Sequence, residues 1–186
     1  MSGQGLVIGI TGPNASGKGE VARMLRERGY GYCSLSDIVR EEALRRGLTT
    51  GREHLILVGR DMRRAGGRGA LAERVLGRLR PPCVVDSIRN PGEVAVLRGL
   101  PGFRLLGIDA SPAVRFERLV ARARPGDPRT VEEFLEKERI ENSADPEGQQ
   151  LAATFALSDR ALRNDGALES LEAALDAVLR DWEAAG

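Results

Sequence analysis

Gly12, then four residues, then Gly17-Lys18 is a spacing suited to phosphate chemistry. Glycines let a loop turn its backbone N–H groups inward onto phosphate oxygens, and a helix that follows adds the positive end of its dipole. The flanks supply that context: the apolar run Leu6 to Ile10 reads as a strand, and Glu20 to Arg28 as a helix. Gly12, Asn14, Ala15, Ser16, Gly17 and Gly19 are therefore the loop candidates, with Lys18 as the mobile charge for the terminal phosphates. A plain glycine turn is the alternative. The usual pattern continues with Ser or Thr, whose hydroxyl reaches magnesium. Gly19 and then Glu20 stand there instead, so Glu20 is a candidate that acts through water or simply faces solvent.

Phosphoryl transfer needs donor and acceptor aligned and positive charge around the migrating group. Asp86 closes the buried run Cys83-Val84-Val85 and is placed to hold Mg2+, through water. Arg115, Arg118 and Arg122 share one face of a helix opened by Ser111-Pro112. Arg118 suits stacking on the donor base and Arg122 its phosphates, against the alternative of a solvated basic face. On the acceptor side, Arg40 and Arg89 can clamp a phosphate bidentately. Asp37 is either a general base towards a hydroxyl or the cap of its helix. Arg124, Arg129 and Arg139 lie in or beside a charged, turn-rich segment, where one or two of them can complete the site if that segment closes.

These residues need a scaffold, and the chain of 186 residues, 41% hydrophobic and 30% charged, fits one domain with a substantial core. A formal net charge of +1 gives no global reason to expect nucleic acid or anionic membrane as partner. No apolar run spans a bilayer and the N-terminus lacks a basic-then-apolar leader, so a cytoplasmic protein is expected. With His54 as the only histidine, histidine triads and multi-histidine metal sites are nearly excluded. Cys33 and Cys83 sit in strand-like stretches and read as structural thiols.

Further strands are expected at Tyr30 to Asp37, ending in a polar pair, at Cys83 to Arg89, at Phe103 to Asp109 and at Arg160 to Asn164. Helices are expected from Ile38 to about Arg46, after a Thr50–Glu53 capping box, from Leu71 to Leu79, after an Asn90 cap with Pro91, from Thr130 to about Glu141, from Asp145-Pro146 through Leu157, and after Gly166. Strands alternating with helices at these lengths predict an α/β fold: an open, mostly parallel five-stranded sheet with helices on both faces. Gly12, Asp37, Asp86 and Asp109, which close apolar runs, would line the edge where ligands collect in such sheets.

Gly12 to Gly19, with glycine after the lysine, resembles the Gly-Lys-Gly loop of adenylate kinase and related nucleoside monophosphate kinases. Ser36-Asp37-Ile38-Val39-Arg40 is similar to that family's acceptor segment, Asp86-Ser87-Ile88-Arg89 to its Asp-Gly-Phe-Pro-Arg, and Glu117-Arg118 with Arg122 to its donor-site arginine pair. Dephospho-CoA kinase is also similar: it places a catalytic aspartate where Asp37 stands, and Asn164-Asp165-Gly166 resembles its segment beside the adenine. Its Gly-Lys-Ser loop is absent here, as are the lid cysteines of zinc-bearing adenylate kinases and the Thr at Glu20.

The resemblance implies a three-layer P-loop kinase fold in one domain over residues 1–186, with an acceptor-binding helical region at about 37–80 and a helical lid at about 122–146. It implies an ATP- and Mg2+-dependent phosphotransferase acting on a small nucleotide, with Lys18, Asp37, Arg89 and Arg122 as catalytic residues. Asn164 and Gly166 join Arg118 and Arg122 at the donor, and Asp37, Arg40 and Arg89 hold the acceptor. A nucleoside monophosphate is the expected acceptor and the ribose hydroxyl of dephospho-CoA the alternative. A nucleotide-binding sensor without an acceptor is a third reading.

Overall fold

The structure is a computed structural model and describes residues 5–184. Five strands, β1 (Val7–Thr11), β2 (Gly31–Ser34), β3 (Cys83–Asp86), β4 (Phe103–Asp109) and β5 (Arg160–Arg163), form one sheet in the order β2-β3-β1-β4-β5. Every pairing is parallel, with Val7 beside both Cys83 and Phe103. All crossovers therefore run through helices, and the loop after β1 emerges at the centre of the sheet between β3 and β4.

The twofold alternation of strand side chains divides the core. Val7, Cys83, Val85, Phe103 and Leu105 face one layer, made by α2 (Leu35–Arg45), α3 (Arg52–Gly66), α4 (Ala70–Leu76) and α5 (Pro91–Leu97). Ile8, Ile10, Val84, Leu106 and Ile108 face the other, made by α1 (Lys18–Glu27) and α9 (Leu168–Ala184). Because both faces are covered, the central strands are apolar at nearly every position. The leucines of α9 repeat at helical spacing, and Leu171, Leu175 and Leu179 are buried against the sheet together with Trp182.

Several boundaries differ from those expected. β2 ends at Ser34, because the Ser34 hydroxyl accepts the Ser36 N–H and starts α2 three residues early. Asp37 therefore lies in the first helical turn, is not a strand end, and is not the cap. The Thr50–Glu53 capping box is absent: Gly51 precedes α3 without a side-chain cap, and Thr49 instead bonds His54. No helix begins at Asp145-Pro146. Gly148 N–H donates to the Asp145 carbonyl in a turn, and the short α8 (Leu151–Phe155) starts only afterwards. Between α6 (Pro112–Arg122) and that turn lies α7 (Val131–Glu141), capped by Thr130 as expected.

The Asn90 cap is present and has a larger role than capping. Its side chain accepts the Gly92 N–H and donates to the carbonyls of Pro146 and Gly148, so it ties the 145–148 turn to the start of α5. Glu93 completes the capping box from a fully buried position. One oxygen accepts the Arg89 and Asn90 N–H groups at 2.8 and 3.1 Å, and the other accepts Arg63 from α3 at 2.7 and 2.9 Å. Arg63 is 4% exposed, so its charge has no solvent to fall back on. Glu93→Ala leaves that guanidinium buried and uncompensated and is expected to cost about 3–5 kcal/mol, measured as a lower denaturant midpoint at unchanged slope. A loss under about 1 kcal/mol would show that the pair behaves like a surface ion pair.

Candidate functional site

The phosphate-type loop is shaped by two close approaches. Gly12 has φ +139°, and a Cβ there would lie 1.9 Å from the Ile108 carbonyl of β4. Gly17 has φ +105°, and its Cβ would lie 2.0 Å from Asn164 Nδ2. Both positions demand glycine on conformation and on space. Within the loop, the backbone N–H groups of Gly17, Lys18 and Gly19 have no acceptor among the described residues. They open the N-terminus of α1 as an anion-binding nest.

Lys18 folds back onto its own loop, its Nζ donating to the carbonyls of Gly12 and Pro13 at 2.7 Å each. Although part of the side chain is exposed, burial of the ammonium and then the charge of Arg89 push its pKa from 10.5 down to about 8, with Asp86 and Glu141 opposing. Glu20 is exposed and pairs with Arg23.

Behind and beside the loop stand the two arginines expected at the donor. Arg118 donates to the Ala15 carbonyl at 3.3 Å and the Asn164 carbonyl at 2.9 Å. Arg122 makes a bidentate pair with Asp127 at 2.7 Å and touches Asn14 Oδ1 at 3.4 Å. Asn164 is buried and donates from Nδ2 to the Ser16 carbonyl, so it braces the loop from behind and does not line the cleft. Gly166 and Asp109 also lie outside the cleft. Asp109 spends its carboxylate on Ala110 N–H and Arg163. Arg115 shares the helix face but turns to the Ala110 carbonyl and Glu138, away from the loop.

One cleft of about 800 Å³ runs from this loop to the acceptor candidates. Lys18, Asp86, Arg89, Asp37 and Arg40 all line it, as do Arg118, Arg122 and Arg124. Arg129 and Arg139 do not, and Arg139 is paired with Glu136 in solvent. Arg40 donates to Asp37 at 2.6 Å, so each neutralises the other in this state. Arg89 reaches Gln149 at 2.9 Å and the buried Glu141 at 3.3 Å.

Among the cleft residues that escaped sequence reasoning are Arg52, Arg63, Tyr32 and Gln149. Arg52 and Arg63 sit on α3 among ordinary surface-type charges, with no motif to mark them. Tyr32 donates from its hydroxyl to Asp86 Oδ2 at 2.9 Å, while Ser87 N–H reaches Oδ1 at 2.6 Å. Burial, and then the Asp86 charge, push the Tyr32 pKa up to about 12, so it remains a donor to Asp86 at all ordinary pH.

Among the described residues there is no group of three or more His, Cys, Asp or Glu fit to enclose a metal. Mg2+ commonly takes one carboxylate, substrate phosphates and waters, and needs no such group. Asp86, oriented by Tyr32 and Ser87 and lining the same cleft as Lys18, fits that mode. Both thiols are free, and burial pushes the pKa of each up, which makes them poor nucleophiles.

Residues 8–141 match the AAA domain family. UPF0200 proteins of Hyperthermus butylicus and Thermococcus gammatolerans are 37% and 34% identical over 172 and 176 residues, covering 90% of this chain and of each relative. The chain belongs to the UPF0200 family. TT1252 from Thermus thermophilus superposes with a TM-score of 0.59 at 27% identity over 96% of this chain and 98% of its own. A putative kinase from Chloroflexus aurantiacus, TM-score 0.60 at 18% identity over 98% and 99%, and a shikimate kinase from Bacteroides thetaiotaomicron, 0.58 at 14% over 96% and 98%, share the fold. The all-parallel sheet, the glycine loop and the flanking helices are those of a P-loop kinase-like α/β fold. No described helix is long and apolar enough to cross a membrane.

The lysine carries a pH signature. Its folded pKa lies below its unfolded value, so between pH 8 and 10.5 the unfolded chain binds more protons and stability rises with pH. Below pH 8 the cost of burying the charge is fully present. NMR of labelled Lys18 side chains is expected to show a midpoint near 8 in the free protein, moving upward when a nucleotide triphosphate is added. A free-protein midpoint at 10.5 would show that the ammonium is hydrated.

Proposed function

We propose that this protein is an ATP-dependent, Mg2+-assisted phosphotransferase that moves the γ-phosphoryl group to the phosphate of a nucleoside monophosphate. The observation that carries the proposal is the single cleft in which the glycine loop and Lys18 meet Arg40 and Arg89. In this reading the N–H groups of Gly17 to Gly19 hold the donor phosphates, and Lys18 leaves its loop carbonyls for the β- and γ-oxygens. Arg118 and Arg122, already against Ala15 and Asn14, close over the nucleotide. Asp86 would hold Mg2+, which neutralises developing charge on the phosphates.

Arg89 and Arg40 orient the acceptor so that its attacking oxygen lies in line with the donor. We read residues 37–80 as the acceptor-binding region and 122–146 as a lid within one domain, with Arg124 as the lid arginine nearest the chemistry because it lines the cleft. Displacing water from between the two phosphates strengthens each arginine contact as the lid closes.

A second reading, transfer to a hydroxyl such as the ribose hydroxyl of dephospho-CoA, is favoured by one observation. The Asp37 carboxylate lines the cleft and binds Arg40 through only one oxygen, so the other is available to take a proton.

Incubation with ATP, Mg2+ and a panel of nucleoside monophosphates is expected to release ADP only when acceptor is present. ATP binding without transfer to any acceptor, dephospho-CoA included, leaves the sensor reading. Asp37→Asn separates the two transfers: it is expected to leave phosphate transfer within about tenfold of the parent, and to lower hydroxyl transfer by roughly 10²–10⁴-fold. Lys18→Ala is expected to lower the affinity for ATP by tenfold or more, the size of a lost charge-assisted contact, read by calorimetry.

A further inference from the structure

Three segments converge at the cleft. Arg52 is the first residue of α3, Arg89 follows β3, and Glu141 is the last residue of α7. Glu141 is 2% exposed and lies behind the cleft wall, while Arg52, Arg89 and Gln149 line it. One Glu141 oxygen accepts from Arg52 Nη2 and from Arg89 Nη1. The Arg89 backbone is fixed on both sides, its N–H by Glu93 and its carbonyl by Gln150 N–H at 2.9 Å.

The electrostatics follow from this arrangement. Two guanidiniums side by side repel, and a buried carboxylate that bridges them removes most of that repulsion while leaving a net charge of +1. Each guanidinium has its donors spread over Nε and two Nη atoms. Glu141 engages one Nη of each, and Gln149 shares the same Nη1 of Arg89. Nε and the other Nη of both arginines have no partner among the described residues. A pair of guanidinium forks, anchored from behind and free in front, is the donor pattern that recognises a phosphate oxyanion.

We infer that Arg52 and Arg89 together form the subsite for the acceptor's phosphate, with the buried Glu141 as the positioning residue that holds the two guanidiniums side by side. The inference rests on the phosphotransferase reading and adds to it a residue, Arg52, that no motif marks. It also makes the end of α7 part of acceptor binding: the helix that enters the lid segment terminates on the carboxylate that sets the acceptor clamp. Arg40, tied to Asp37, is thereby secondary in holding the phosphate.

The test is calorimetric binding of inorganic phosphate to the whole chain with the donor loop filled by a non-hydrolysable ATP analogue. Arg52→Ala is expected to weaken phosphate roughly tenfold, one charge-assisted contact. Glu141→Gln keeps the shape and one acceptor oxygen but not the charge, and is expected to weaken phosphate several-fold, with Glu141→Asp restoring part of the loss. Affinity for the analogue stays at the parent value in Arg52→Ala, and in turnover the effect falls on acceptor KM more than on kcat. Tighter phosphate binding by Glu141→Gln would identify Glu141 as a competitor for the arginines and overturn the inference, as would insensitivity to Arg52→Ala. If Glu141→Gln does not fold, Glu141→Asp and Arg52→Ala decide between the same outcomes. Failure of the parent chain to bind the analogue overturns the kinase reading and this inference with it, whereas analogue binding with phosphate unaffected by the variants overturns the inference alone.

Discussion

Close packing of the glycine loop against its neighbours is the constraint on which the rest of the site depends. Gly12 presses on the Ile108 carbonyl and Gly17 on Asn164, so the loop exists in this form only if β4 is in place beside β1 and β5 beside β4. Asn164 in turn supports the Ser16 carbonyl, and its own carbonyl receives Arg118. Arg118, the loop and the residue that follows the last strand are thus one packed unit. The N–H groups of Gly17, Lys18 and Gly19, on the loop's outward side, are left without partners among the described residues.

The charged groups around the cleft are organised in the same manner, as carboxylates that hold arginines in defined places. Glu93 fixes Arg63 and the Arg89 backbone, Glu141 joins Arg52 to Arg89, Asp127 holds Arg122, and Asp37 holds Arg40. The buried pairs differ physically from the exposed ones. Glu93 and Glu141 are nearly inaccessible and fix one side of each arginine they hold, whereas Asp37 and Arg40 are about half exposed and separate at little cost. This contrast suits a site in which some cations stay anchored to a buried carboxylate while offering their remaining donors, and others leave a protein oxygen when an oxyanion arrives. Lys18, with its pKa lowered to about 8 and its ammonium parked on two carbonyls, belongs to the second group.

The loop, the five strands and the alternation with helices were legible because each rests on local rules: glycine spacing, apolar runs and periodicity. Asn90-Pro91-Gly92-Glu93 was legible for the same reason, since a capping box is set by four consecutive residues. Local rules also account for the misplacements. Ser34 caps α2 ahead of the expected Asp37, since either hydroxyl or carboxylate can cap and the burial of Leu35 and Ile38 selects the earlier start. The helix expected from Asp145 yields to a turn because Asn90, more than fifty residues away, takes the carbonyls of Pro146 and Gly148.

The sequence by itself determined the phosphate-binding loop, the parallel α/β architecture and most of the polar residues at the strand ends. Only the tertiary structure decided which arginines share the cleft. Arg118, Arg122 and Arg124 line it while Arg115, Arg129 and Arg139 do not, although all six look alike in sequence. It also brought Arg52 to Arg89 through Glu141 and turned Asn164 into a brace for the loop. The physical reason is that a long cationic side chain is assigned by the carboxylate or carbonyl it finds, and those partners lie tens of residues away, beyond the reach of any periodicity or spacing.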